Sequence, residues 1–222
     1  MFIECAVEFL AYVFTAVVAY LLGSLPTGYL VARAKGIDIR KAGSGNIGAT
    51  NAFRVLGRPA GIFVLAVDAL KGWIAVRLAG PLILDQFVSS DALGNQAIIV
   101  ALVASIFAVL GHNYTCWLGF KGGKGIATSA GVLTALVPWA LLIILSVWIV
   151  LFFVTRYVSI GSIAASATLP FATWLTTQDW TLTAVTGAMG VLAIYKHKGN
   201  IQRLLNGTEP RFGQRKVQEA AQ

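Results

Sequence analysis

Long apolar runs separated by short polar and basic segments dominate the pattern of the chain. A helix that crosses a bilayer needs roughly 20 predominantly apolar residues. The apolar stretches lie at residues 9–32, 59–84, 92–120, 125–155, 157–178 and 180–195. Apolar runs of this length are typical of α-helices, which satisfy their own backbone polar groups inside lipid. The pattern therefore predicts an all-α integral membrane protein.

The run at residues 125–155 is the ambiguous one. Its 31 residues carry no charge and contain Pro138. As a single helix the run would be about 46 Å long, against a hydrocarbon core of about 30 Å. Divided at Pro138 it gives two segments, the first only roughly 14 residues long. Hydropathy alone leaves both arrangements open.

The distribution of basic residues decides between them. If the run is divided there are seven spans, and residues 33–58, 113–124, Arg156 and the C-terminal tail share one side. That side holds all of the 17 Lys and Arg residues except Lys71 and Arg77. Six spans would instead leave the basic tail outside. By the positive-inside rule we predict seven transmembrane helices with a short fourth helix, an outside N-terminus and a cytoplasmic C-terminus.

Composition agrees with this class of protein. Hydrophobic residues make up 57% of the 222 residues and charged residues 12%, with a mean hydropathy of +0.77. Soluble domains carry about 25% charged residues. The net charge of +8 follows the polar segments between apolar runs, and so indicates membrane orientation and not nucleic-acid binding. No linker divides the chain, which predicts one membrane-embedded domain over residues 1–222.

A polar, glycine-rich segment at residues 42–54 is the strongest candidate for a binding site. Glycine lets backbone amides approach a ligand, and clustered amides beside basic side chains attract anions. A dinucleotide fingerprint is excluded, because that motif needs a preceding strand and a βαβ unit. The candidate anion-binding residues of this segment are Gly43, Ser44, Gly45, Asn46, Thr50, Asn51 and Arg54.

Two further basic segments lie on the same predicted side. The first contains Gly122, Gly123 and Lys124 at the start of an apolar helix, where an ammonium group can meet a phosphate. The second contains His197 and Asn200, which share a helical face and precede Arg203. Each also has a simpler interpretation, as a positive-inside anchor or an interfacial histidine.

Polar residues inside the predicted spans can also have either a structural role or a role in the site. Ser159 and Ser162 share one face at the start of a span and either pack against a neighbouring helix or reach the site. Asp68 and Lys71, three residues apart, can form a buried ion pair that braces the bundle.

The predicted cytoplasmic side has few acids: Asp38, Glu209 and Glu219, widely spaced. Such spacing offers neither a carboxylate cluster for Mg²⁺ nor a Cys/His set for zinc. We therefore expect no metal and no cofactor, so that Arg, Lys and backbone amides must meet any phosphate charge.

These motifs together resemble the bacterial acyl-phosphate:glycerol-3-phosphate acyltransferase family over nearly the whole chain. The resemblance rests on GSLPTG at 23–28, GSGNIGATN at 43–51, GHN at 111–113, FKGGKGIAT at 120–128 and HKGNIQRLLNGTE at 197–209. It implies seven transmembrane helices in the bacterial cytoplasmic membrane, a cytoplasm-facing site without metal, and lysophosphatidic acid plus phosphate as products. Its motifs indicate the site residues Ser44, Arg54, Lys124, Ser162, His197 and Asn200.

The implied substrates suit these residues, because an acyl phosphate already carries a good leaving group. Placing the glycerol hydroxyl beside the carbonyl can supply roughly 7–11 kcal/mol. We expect Arg54 and Lys124 to hold one phosphate each, and Ser44 to bind a phosphate or the carbonyl. His197 is a general base unless a substrate phosphate takes the proton, and Asn200 orients either His197 or the substrate.

The expected partners are acyl phosphate, glycerol 3-phosphate and membrane lipid, with the protein a monomer or weak oligomer. A transporter of organic phosphates would also use helix N-termini and basic residues, but it predicts internal repeats and polar elements towards both faces. The sequences of the two halves of this chain do not resemble each other, and its polar segments with candidate binding residues all lie on the same predicted side of the membrane. A lipid-binding scaffold would not need three separate anion-binding segments.

Overall fold

The computed structural model describes residues 2–87 and 93–213, and the regular elements within these ranges are all helical, as predicted. The α-helices are α1 (Phe2–Ser24), α2 (Thr27–Arg33), α3 (Ala49–Leu56), α4 (Arg58–Ile74), α5 (Gly80–Phe87), α6 (Leu93–Asn113), α7 (Ile126–Leu136), α8 (Pro138–Thr155), α9 (Val158–Thr177), α10 (Trp180–Lys196) and α11 (Lys198–Leu205). A π-helical segment, Ala75–Ala79, joins α4 to α5.

Four helical stretches in the described ranges are long and apolar enough to cross a membrane. They are Ala6–Arg33, Gln96–Leu118, Pro138–Thr155 and Val158–Thr177. The remaining predicted spans are less clear-cut: α10 has 17 residues, and α4 carries Asp68 and Lys71. The number of seven spans therefore stays a prediction.

The division at Pro138 is confirmed. Pro138 is the first residue of α8, a position that tolerates proline because its N–H would have no helical partner. α7 has 11 residues, which at 1.5 Å each give a length of about 16 Å. The short fourth helix of the sequence pattern thus reaches only about half of a 30 Å core.

The first predicted span, residues 9–32, is broken. α1 ends at Ser24 and α2 begins at Thr27, because Pro26 has no N–H to continue the helical ladder. At this break the Leu25 carbonyl oxygen accepts both the backbone N–H of Thr27 at 3.0 Å and the ammonium group of Lys71 at 2.8 Å.

Asp68 and Lys71 form the predicted buried ion pair, with 2.9 Å between Oδ1 and Nζ. Asp68 is 2% exposed and Lys71 4%. The Thr27 hydroxyl donates to Asp68 at 3.0 Å, and Lys71 Nζ lies 3.0 Å from His112 Nδ1. The pair therefore ties the α1–α2 break, α4 and the end of α6 together.

Close helix contacts depend on small residues, as is common for membrane helices. α1 packs on α6, α4 on α7, and α9 lies against both α8 and α10. A Cβ at Gly23 would lie 2.0 Å from the Ala108 carbonyl oxygen of α6. One at Gly131 would lie 1.8 Å from the Ala69 carbonyl oxygen of α4.

The polar segments meet at one end of the bundle. Lys196 Nζ donates to the Asn113 carbonyl at 2.9 Å, which joins the ends of α10 and α6. Arg54 of α3 donates to the Pro210 carbonyl at 3.4 Å, so α3 and the segment after α11 lie at this end as well. The sequence predicted that these segments share a side, and these contacts bring them together.

The close contact between α4 and α7 predicts that adding one methyl group at Gly131 destabilises the protein. Gly131→Ala should lower the melting temperature in detergent, with overpacking costing about 1–3 kcal/mol. Gly187→Ala is the matched control, since its Cβ would lie 3.6 Å from Pro170 Cβ, an ordinary contact. Equal melting temperatures for the two variants would contradict the tight α4–α7 packing.

Candidate active site

The side chain of Asn51 shapes the loop that precedes α3. Its amide nitrogen donates to the carbonyl oxygens of Ala42 at 3.0 Å and Asn46 at 2.8 Å. Its oxygen accepts the backbone N–H of Ser44 at 2.9 Å. Asn51 is 1% exposed and both its N–H groups are used. The sequence pattern places Asn51 among the phosphate-binding residues, and the structure corrects this: Asn51 holds the loop in place.

The glycines of the loop allow its tight turns. Gly43 and Gly45 have φ angles of 60° and 71°, a region that favours glycine. A Cβ at Gly43 would lie 2.3 Å from Asn51 Oδ1. Ser44 lies between the two glycines and is exposed, so its hydroxyl is accessible to a ligand.

The loop leads into the N-terminus of α3. Asn46 Oδ1 accepts the N–H of Gly48 at 2.8 Å, which fixes the chain just before the helix. Thr50 lies in the first turn, where backbone N–H groups lack intrahelical partners and favour anions. Arg54 follows one turn later on the same helix. Loop, helix N-terminus and arginine thus form one unit suited to a phosphate.

Gly122 and Gly123 pack against the end of α6. The N–H of Gly122 donates to the Asn113 carbonyl at 3.2 Å, and that of Gly123 to the His112 carbonyl at 3.0 Å. A Cβ at Gly123 would lie 2.1 Å from His112 Nε2. The amides predicted to bind phosphate are already engaged, so the two glycines instead allow the backbone before Lys124 to approach α6.

Lys124 lies at the centre of a charged network. Its ammonium group donates to Asn200 Oδ1. Asn200 Nδ2 donates to Glu209 Oε1 at 2.6 Å, and Arg203 Nε to Glu209 Oε2 at 2.7 Å. The sequence predicts that Asn200 orients either His197 or the substrate. In the structure the Asn200 side chain links Lys124 to Glu209, and its role towards a substrate stays a prediction.

The charges of this network do not balance. Burial, together with the positive charges of Arg203 and Arg54, lowers the pKa of Lys124 to about 8, although the carboxylate of Glu209 raises it. Burial opposes ionisation of Glu209, yet hydrogen bonds from Asn200 and Arg203 hold its pKa below the ordinary value. Three cations thus interact with one carboxylate in the described part of the site, which favours binding of anions.

His197 is held as a neutral imidazole. Its Nδ1 lies 2.7 Å from the Ala193 carbonyl oxygen, which can only accept, so Nδ1 carries the proton. Burial and the charge of Lys124 lower the pKa of His197 to about 4. At neutral pH the lone pair of Nε2 is therefore available to accept a proton.

Ser162 lies at the boundary between the polar end and the apolar bundle. Its hydroxyl donates to the Val158 carbonyl at 2.9 Å and accepts the indole N–H of Trp148 at 3.2 Å. Ser159, one turn earlier, is 4% exposed, and its hydroxyl has no hydrogen-bond partner among the described residues. Both serines are thus buried in the bundle, and a role for them in the site stays a prediction.

An apolar cavity of about 90 Å³ begins at Ser162 and lies between α7, α8, α9 and α10. Ile126 and Ala193 line it near the charged network, and Leu141 and Leu169 line it deeper in the bundle. Leu145 also lines it and is 43% exposed, so the cavity reaches the outer surface of the helices.

The sequence pattern does not single out Glu209 or Trp148. Glu209 did carry a signal, since no other acid lies between Asp179 and Glu219 in a basic stretch of chain. Trp148 carried none, because an aromatic residue in an apolar helix is ordinary. Within the described ranges, no three His, Cys, Asp or Glu side chains gather as a metal site would require. Metal independence stays a prediction.

Comparison with known proteins agrees with this geometry. A family model described as glycerol-3-phosphate acyltransferase matches residues 13–207. A glycerol-3-phosphate acyltransferase of Fusobacterium nucleatum is 43% identical over 197 residues, 88% of this chain and 95% of that protein.

Solved structures match as well. The glycerol 3-phosphate form of PlsY (YgiH), an integral membrane glycerol 3-phosphate acyltransferase, has a TM-score of 0.81 and 39% identity, covering 91% of this chain and 96% of that one. The lysophosphatidic acid form has a TM-score of 0.78 and 38% identity, covering 91% and 95%. This chain therefore belongs to the glycerol-3-phosphate acyltransferase family.

Proposed function

We propose that this protein transfers an acyl group from acyl phosphate to the 1-hydroxyl of glycerol 3-phosphate, giving lysophosphatidic acid and phosphate. The observation that carries the proposal is the excess of cations over acids around Lys124, next to an apolar cavity. Two phosphates supply the missing negative charge, and an acyl chain fills apolar space. The reaction is the first acylation step of phospholipid synthesis.

We further propose seven transmembrane helices in the bacterial cytoplasmic membrane, with the N-terminus outside and the site facing the cytoplasm. The meeting of the basic segments at one end supports this arrangement, because positive charge marks the cytoplasmic side. The Glu8–Gln96 hydrogen bond, 2.8 Å long, then lies near the outer surface. The protein works as a monomer or weak oligomer and needs no cofactor.

The two phosphates occupy different parts of the site. Arg54, the α3 N-terminus and the Ser44 hydroxyl bind one of them, with Gly45, Asn46 and Thr50 on the same unit. Lys124 and Arg203 bind the other, each exchanging part of its contact with Asn200 or Glu209 for the phosphate.

His197 Nε2 removes the proton from the 1-hydroxyl as the oxygen attacks the acyl carbonyl. The carbon–oxygen bond to phosphate then breaks, and the proton passes to the departing phosphate. Geometry supports this role, because the Ala193 carbonyl fixes the tautomer that leaves Nε2 basic. In the alternative, the substrate phosphate takes the proton directly and His197 only positions the hydroxyl.

The acyl chain lies in the cavity between α7, α8, α9 and α10. Its carbonyl end is at Ser162, and its tail runs along Leu133 and Leu169. Leu145 borders the cavity at the lipid-facing surface, so substrate and product tails can exchange with the bilayer from the side.

The donor assignment has a direct test. Purified protein in detergent with a chelator should release phosphate when it receives acyl phosphate and glycerol 3-phosphate together. Release only with acyl-CoA or acyl carrier protein would overturn the donor, and no turnover with any donor would overturn the proposed function. A reaction restored only by a divalent cation would overturn metal independence alone.

Replacement of His197 tests whether His197 or a substrate phosphate accepts the proton. If His197 is the base, His197→Ala should lower kcat by about 10² to 10⁴, the usual range for general acid–base catalysis. Lys198→Ala, at the exposed neighbouring position, is the control and should leave kcat unchanged. A loss of only a few-fold with the same pH profile would show that the substrate phosphate takes the proton.

The pKa of Lys124 predicts an alkaline limit to activity. In the free enzyme Lys124 loses its charge as the pH rises through about 8, so kcat/KM for the phosphate substrate should fall above that value. Lys124→Arg keeps a cation at all these pH values, so its kcat/KM should show no such fall. The same alkaline fall in both proteins, with acyl phosphate shown to be intact, would assign it to another group.

A further inference from the structure

The segment that follows α11 crosses the polar end of the bundle, and we call its residues 209–212 the strap. The chain reverses direction at Gly207, which has a φ of 68°. The N–H of Glu209 donates back to the Arg203 carbonyl at 3.1 Å, so the strap starts from a fixed turn. Glu209 itself belongs to the charged network described above.

On one side the strap contacts α3. The Pro210 carbonyl accepts the guanidinium of Arg54 at 3.4 Å. The ring of Phe212 meets the ring of Phe53 edge to face, with centroids 6.1 Å apart and planes at 73°. The strap therefore contacts both Arg54 and the residue beside it.

On the other side the strap contacts the turn between α8 and α9. The N–H of Phe212 donates to the Arg156 carbonyl at 2.8 Å, and its ring meets Phe152 with centroids 5.4 Å apart. Arg211 Nε donates to the Tyr157 hydroxyl at 3.2 Å, with the guanidinium 5.3 Å from that ring. Phe212 thus lies between an aromatic residue of α3 and one of α8.

The aromatic contacts continue to the acyl cavity. Phe152 stacks on Trp148 with centroids 5.0 Å apart and planes at 14°. Trp148 in turn donates its indole N–H to Ser162 at 3.2 Å. A continuous series of contacts therefore runs from Phe53, beside Arg54, through Phe212 to Ser162.

We propose that Phe212 is a positioning residue for acyl transfer, whose ring sets the distance between the Arg54 phosphate-binding unit and the Ser162 end of the acyl cavity. α3 packs mainly on α4, whereas α8 packs mainly on α9, so the two halves of the site belong to different parts of the bundle. Aromatic pairs of this geometry are stabilising beyond their buried area. The inference rests on the proposed function.

The proposed role of Phe212 predicts a change in kcat, because the rate depends on the alignment of the substrate hydroxyl with the acyl carbonyl. Each half of the site can still bind its own substrate group when Phe212 is removed, but the hydroxyl and the acyl carbonyl are no longer held in register. A misplacement of about 1 Å can cost 100-fold in rate. Phe212→Ala should therefore lower kcat by about 10- to 100-fold, with a much smaller change in KM for glycerol 3-phosphate. Phosphate release from acyl phosphate is the measurement.

Controls separate positioning from folding. Phe212→Tyr keeps the ring and, because Phe212 is 38% exposed, its hydroxyl can reach solvent, so kcat should return towards that of the unaltered protein. Phe171→Ala, a phenylalanine 75% exposed on α9, should leave kcat unchanged. Melting temperatures of all variants in the same detergent show whether they are folded. If Phe212→Ala does not fold, Phe212→Leu keeps apolar volume without the ring and should show the same loss of kcat.

A double variant tests the path to Ser162. If the ring pair carries the effect, Phe152→Leu combined with Phe212→Ala should lower kcat no more than the larger single effect. Unchanged kcat in folded Phe212→Ala, a change confined to KM, or multiplying effects in the double variant would each overturn the inference. An inactive unaltered protein would instead overturn the proposed function.

Discussion

The buried pair of Asp68 and Lys71 is the constraint on which the arrangement of the polar end depends. Neither charge is tolerable alone at its depth, and breaking a buried pair by removing one partner costs about 3–5 kcal/mol. Lys71 also donates to the Leu25 carbonyl, which lies at the break between α1 and α2. The pair thus fixes the depth of α4 against the α1–α2 break and against His112. The backbone that leads to Lys124 packs directly on that histidine.

Much of the fold could be predicted from the sequence, because in lipid an uncharged run of sufficient length has few alternatives to a helix. The length of the run raised the question of its division, the distribution of basic residues decided it, and Pro138 marks the place where α8 begins. The break at Pro26 was missed, because the run over residues 9–32 is uncharged and was treated as one span despite its proline. The sequence also gives no sign that Lys71 donates to a carbonyl at this break.

The sequence indicated which residue types form the candidate site, but not which contacts each of these residues makes. Glycine-rich sequence indicated close backbone approach, and the structure shows what approaches: a ligand can reach the loop at Ser44, but α6 occupies the space beside Gly123. Asn200 was expected to orient either His197 or the substrate, and the sequence did not show that it links Lys124 to Glu209. Such partners come from segments far apart along the chain, so spacing within one segment cannot identify them.

The shortness of α7 has a consequence for where catalysis takes place. α7 is only about 16 Å long, and Leu145, which lines the cavity beside it, is 43% exposed, so under the proposed function a hydrocarbon tail in this cavity lies close to the bilayer. Exposing each methylene of such a tail to water would cost about 0.8 kcal/mol. Under the proposed function, the donor and the lipid product therefore diffuse in two dimensions while glycerol 3-phosphate and phosphate diffuse in three. The rate would then follow the mole fraction of donor in the bilayer, and dilution with inert lipid would slow the enzyme at constant bulk concentration.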